Sequence, residues 1–169
     1  MTDKERHRFA VPPATGELDG IDLAFLNPDD EDDRRILILA EHPELQAAIE
    51  NDRSEIHAKG TTISPALHLA MHEIVANQLW AYDPPDAWHT AHRLIELGYE
   101  RHEVLHMLGS VVAEDVYAAL RDKLPPDLEK TQAALAALPE SWELQRDEIP
   151  AQRHLNRAER RAEAREHRR

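Results

Sequence analysis

The chain contains no cysteine. Disulfides, thiolate-held zinc and cysteine nucleophiles are therefore excluded, and any metal must be held by histidine and carboxylate. Such ligands suit Zn, Fe, Mn, Co or Ni and do not choose among them. No run of eighteen apolar residues occurs, so nothing reads as a transmembrane helix. Residues 1–13 lack the apolar stretch of a secretory signal, and the cytoplasm is the expected location. No strand-like alternation and no internal repeat is visible. What is present is 169 residues, 41% hydrophobic and 31% charged, which suits one domain with tails and a highly charged surface.

The net charge is −13 and unevenly spread. Residues 150–169 hold seven Arg against three Glu, so the acidic excess lies in the rest of the chain. An acidic body argues against nucleic-acid binding through the domain. Only the basic tail could make a weak nucleic-acid contact, and no membrane partner is expected.

Helix punctuation organises the middle of the chain. Residues 1–26 have two adjacent prolines and no period, and read as an extended or poorly ordered arm. Asn27-Pro28 followed by acids looks like an N-cap and first helical position, with that helix stopping before His42-Pro43. A short helix from Pro43 to about Asn51 and a loop over 52–63 follow. Ser64-Pro65 starts a helix to Ala81. Pro84-Pro85 starts another ending at Gly98, a third spans about Glu100 to Asp122, and a fourth runs from Asp127 to Leu138. The tail from Gln152 to His167 reads as a polar helix. The expected fold is all-α: a helical bundle over residues 27–149, with a basic tail at 150–169.

His102-Glu103-Val104-Leu105-His106 reads H-E-x-x-H, the helical signature of zinc-dependent hydrolases. About 0.08 such strings are expected by chance from this His and Glu content. His68 and His72 repeat the i, i+4 spacing, for which roughly 0.7 chance pairs are expected, so this pair gains weight mainly from the other. In a helix, i, i+4 side chains share one face and can converge on one ion. His68 and His72 share theirs with Val75 and Leu79. His102 and His106 share theirs with Gly109, Ala113 and Leu120. Both stripes should face inward, which makes His68, His72, His102 and His106 the candidate metal ligands. Glu103, about 100° around from His102, is the candidate general base. Glu114 lies on nearly the same side, as a third ligand, a carboxylate orienting a histidine, or a polar flank. The plainer readings are His42 capping a helix end, His89 and His92 at the edge of a core, and His7, His57, His154 and His167 on the surface. Trp80, Tyr82 and Trp88 should staple the helices on either side of the turn they straddle.

The stretch 41–120 resembles an uncharacterised bacterial family known only as a domain of unknown function. Three motifs carry the resemblance: Glu41-His42-Pro43-Glu44, the Pro65-to-His72 segment, and Arg101-His102-Glu103-Val104-Leu105-His106 followed by Glu114. It implies that His42, Glu44 and Glu114 belong with the histidine pairs, around the ligands. It brings no established reaction. Ser64 stands where members often have Asn. Gln46 stands where they often have a further His, a departure that points away from His42 as a direct ligand. Zincin proteases match the H-E-x-x-H string alone, without their neighbouring sheet or downstream ligand. The standard di-iron pattern lacks its second Glu-x-x-His copy.

These observations lead to a small helical metal-binding protein with a divalent ion, zinc first and iron or manganese as alternatives. The competing reading is a metal-dependent hydrolase using Glu103 as base. Four protein ligands would close a zinc site, and an open position would mark a catalytic one.

Overall fold

The computed structural model describes residues 2–58, 61–123, 125 and 127–148; for Glu44, 56–58, 61–63 and 145–148 it describes the backbone. The described residues form eight α-helices and two small hairpins. The all-α expectation holds.

The three long helices begin and end where local chemistry puts them. Ser64 caps α4 (Pro65–Ala81) by accepting from the Leu67 N–H, with Pro65 at the first turn. Pro85 opens α5 (Pro85–Glu96), and Gly98, at φ 95°, ends the exit turn in a conformation glycine takes at low cost. Glu100 precedes α6 (Arg101–Asp122), which closes on Lys123 in the left-handed region. Around these lie α2 (Glu31–Ala40), α3 (Pro43–Glu50), α7 (Leu128–Ala136) and α8 (Glu140–Glu148). Helix α4 is central and packs against α2, α3, α5 and α6. Its buried Leu69, Val75 and Leu79 form one core with Leu94 of α5 and Val104, Met107 and Leu108 of α6. No helix among the described residues is long and apolar enough to cross a membrane.

Several expectations need correction. The N-cap of α2 is Asp30, which accepts from the N–H groups of Asp32 and Asp33; Asn27 instead closes a turn before it. Residues 1–26 are not simply extended. Asp3–Ala10 form α1, started by a reciprocal Thr2/Glu5 capping box and packed on α4. A strand pair follows, β1 (Glu17–Leu18) with β2 (Ile21–Asp22), joined through Asp19 at φ 51° and Gly20 at φ 81°. Positive φ at both turn residues is the two-residue hairpin geometry that Asp-Gly favours. The expected loop over 52–63 likewise contains a hairpin, β3 (Ile56–Ala58) with β4 (Thr61–Ile63). The inward stripe of α6 stops short of Leu120, which is 75% exposed. The tail from 150 lies outside the described residues.

Tyr82 joins the end of α4 to α5 as expected, its hydroxyl 3.0 Å from His89 Nε2, while Trp80 and Trp88 also serve α1. His7 stacks on Trp80 at 3.9 Å, and Phe9 meets Trp88 edge-on at 5.5 Å, so both indoles dock α1. His7 is therefore half-buried, not a surface residue. Three arginines bind helix C-termini by donating to carbonyls in the last turn or just past it. Arg6 donates to Leu79 and Trp80 at the end of α4, and Arg93 to Leu135 and Leu138 at the end of α7. Arg101 donates to Phe9 and Ala10 at the end of α1.

Candidate metal centre

Three helix beginnings bring five histidines together. His42 is the N-cap residue of α3. The following Pro43 disfavours helical backbone at His42, which sits at φ −126°, ψ 60° and makes no side-chain cap bond. Its ring instead turns toward α4 and α6. His68 and His72 lie in the first two turns of α4, and His102 and His106 in the first two turns of α6. Gly109, one turn past His106, faces α4: a Cβ there would lie 3.8 Å from that of Met71, an ordinary contact.

One ring nitrogen from each of His42, His68, His72 and His102 lies within 4.8 Å of the other three. A tetrahedral ion with bonds near 2.1 Å needs edges of about 3.4 Å, so small rotations of the rings would close the set. One edge is already short, His68 Nε2 to His72 Nε2 at 3.1 Å. His72 is the hub: the rings of His42, His68, His106 and His102 lie 4.3, 4.8, 5.0 and 5.1 Å from its own. His106 stands against the set without joining it, 4.5 Å from the His102 ring and 5.0 Å from that of His68.

The cluster has a dry end and a wet end. His42 is 1% exposed and His72 5%, whereas His68 is half-buried and His102 is exposed. Burial first, and then the charges of the other four histidines, push the His72 pKa down to about 2. Positive dipole ends at the helix starts act in the same direction. His72 is thus a neutral imidazole at any ordinary pH, the form that binds metals.

Arg101 fixes the relation between segments. It forms an ion pair with Glu41 through both Nη atoms while also holding the end of α1. Glu41 directly precedes His42 and Arg101 directly precedes His102, so this pair clamps two candidate ligands that come from distant parts of the chain.

The other candidates fall around the set. Glu103 is half-buried on α6 and is not one of the four converging groups. Its charge reaches Tyr99, whose hydroxyl donates to Glu143. Burial, that bond, and the charges of Glu143 and Glu103 raise the Tyr99 pKa well above its usual value. Glu114 is exposed two turns beyond His106, and the side chain of Glu44 lies outside the described residues. His89 meets the Tyr82 hydroxyl at 3.0 Å and His92 lies 3.6 Å from Glu96, both away from the cluster on α5. Glu73, next to His72, takes Arg35 at 3.1 Å, and burial raises its pKa. His42 is the member that the histidine spacing did not place in the centre. Its signal was the His-Pro-Glu string, since a proline helix start fixes the residue before it.

A family model described as a domain of unknown function (DUF1841) matches residues 29–137. That span holds all five histidines and both members of the Glu41–Arg101 pair. No curated protein and no solved structure matches the chain.

Proposed function

The chain belongs to the DUF1841 family, a domain of unknown function, and from that starting point we propose a small helical metal-binding protein with one divalent ion held between α3, α4 and α6. The ligands are His42, His68, His72 and His102, with His106 beside them as a fifth imidazole. The observation that carries this reading is the convergence of four ligand nitrogens from three chain segments. One ion shared among them would give these four rings a common partner and join three segments of the chain. Imidazole donors suit zinc first and iron as an alternative; manganese prefers oxygen ligands. Four nitrogens are enough to close a zinc site, which favours a structural ion over a catalytic one.

Elemental analysis of protein purified without nickel resin tests the reading. About one equivalent of zinc or iron per chain is expected, falling at least tenfold in His42→Ala and His72→Ala proteins that remain folded. Metal-free protein whose melting temperature does not move with added Zn, Fe, Mn or Co would rule the site out.

One observation favours the hydrolase reading: His102 is exposed, so water can reach that edge of the cluster. Glu103 on the adjoining turn would then act as the base. In that case Glu103→Gln keeps the ion and lowers hydrolysis by about 10²-fold or more. An unchanged rate would remove Glu103 from the chemistry.

A further inference from the structure

A cleft of about 500 Å3 lies where α1, the 3-10 turn at Leu23–Phe25, α2 and the end of α4 meet. Its floor is apolar, with Val11, Leu23, Leu26 and Leu37 around Trp80. Its volume is in the range of sites that hold small organic ligands. One wall carries charge. Lys4, His7, Arg8 and Val11 follow one another at helical spacing, so a single face of α1 turns toward the cleft. Every titratable group lining it among the described residues is basic, in a chain with 33 acidic and 20 basic residues.

Lys4 and Arg8 are like charges at i, i+4, an arrangement that opposes helix formation unless an anion lies between them. The carboxylates of α1 are engaged elsewhere. Asp3 pairs with Arg6 at 2.9 Å, and Glu5 accepts from the Thr2 N–H at 2.7 Å in the capping box. Phe25 falls in sequence between the lining residues Ala24 and Leu26 but is 86% exposed and is not part of the lining, so it does not fill the cleft.

We propose that this cleft binds a small organic acid with an apolar body. The carboxylate sits between Lys4 and Arg8, and the hydrocarbon lies on Leu23, Leu26, Leu37 and Trp80. The cleft shares no lining residue with the converging histidines, and either site can exist without the other.

The test uses the full chain, decanoate as the probe and decanol as its uncharged counterpart, with binding read by calorimetry and by Trp fluorescence. Decanoate should bind at least tenfold more tightly than decanol. A Lys4→Glu/Arg8→Glu protein with an unchanged circular dichroism spectrum should lose that preference while still binding decanol. Leu26→Ser should weaken both ligands several-fold, because Leu26 lies on the apolar floor and is only half-buried. The proposal is overturned if decanoate does not bind, if decanol binds as well as decanoate, or if the charge-reversed protein keeps the preference. If the charge-reversed protein does not fold, Lys4→Gln/Arg8→Gln decides by the same criterion.

Discussion

Protonating His72 would place a charge among four other imidazoles and away from water, and for that reason its pKa is pushed from 6.5 down to about 2. Between those values the unfolded chain binds a proton that the folded chain refuses, so acid favours unfolding. The contribution is fully present above about pH 6.5 and declines as the pH falls, by at most about 1.4 kcal/mol per pH unit from this one group. Urea melts of metal-free protein between pH 7 and pH 5 should show the decline, and His72→Gln should flatten it. An equally steep decline in that variant would assign the acid sensitivity to other groups. At this scale the sequence was informative wherever two histidines of the cluster share a helix. His68/His72 and His102/His106 could be paired by spacing alone, because i, i+4 fixes a common face. That His42 meets His102 depends on how α3 is placed against α6, which no local spacing encodes.

Helix starts were legible when one or two residues determine them, as at Ser64-Pro65 and Pro85. Asn27-Pro28 gave the right helix but the wrong cap, since Asp30 competes for the same role and satisfies two N–H groups. Helix α1 and the first hairpin were missed for another reason. The Thr2/Glu5 box and Asp19-Gly20 are genuine signals, but each serves an element of eight residues or fewer that depends on the rest of the fold: α1 on Trp80, Trp88 and α4, the hairpin on Leu18 packed against the core. The arginines that close helix ends were invisible because their partners are backbone carbonyls far along the chain. Arg101 is the most consequential of them. Arg101→Met should cost about 2–4 kcal/mol, because it leaves a partly buried Glu41 carboxylate and two carbonyls without their donor. It should also weaken metal binding about tenfold through loss of the clamp on His42. Chemical denaturation and a metal titration measure the two effects, and an unchanged affinity would mean the clamp does not position the ligand. Gly109→Ala should act oppositely. The added methyl meets Met71 at an ordinary 3.8 Å, so the gain in helix propensity should stabilise α6 by about 0.5–1 kcal/mol. A lower melting temperature would show that α4 and α6 are closer than that contact allows.

For the molecule as a whole, an ion that ties α3, α4 and α6 together binds the native state and not the unfolded chain. At a hundredfold excess over Kd the stabilisation is about 2.7 kcal/mol, or about 5–10 °C in melting temperature for a domain of this size. Differential scanning calorimetry with and without chelator should show this interval, and coincident melts would argue against the ion as a structural element. The division of ligands among segments has a kinetic consequence as well. Each of the pairs on α4 and α6 is complete as soon as its own helix has formed, before the chain has closed. His42 arrives only when α3 docks. One ion per chain can therefore recruit the second helix to the first and guide assembly. Ions in excess can occupy the two pairs separately, and two helices that each carry an ion repel where they should meet. Refolding should quicken as metal rises toward one equivalent and slow beyond it; with the proposed ion, the ratio of metal to nascent chain would then govern how readily the native protein forms, more than the affinity of the finished site.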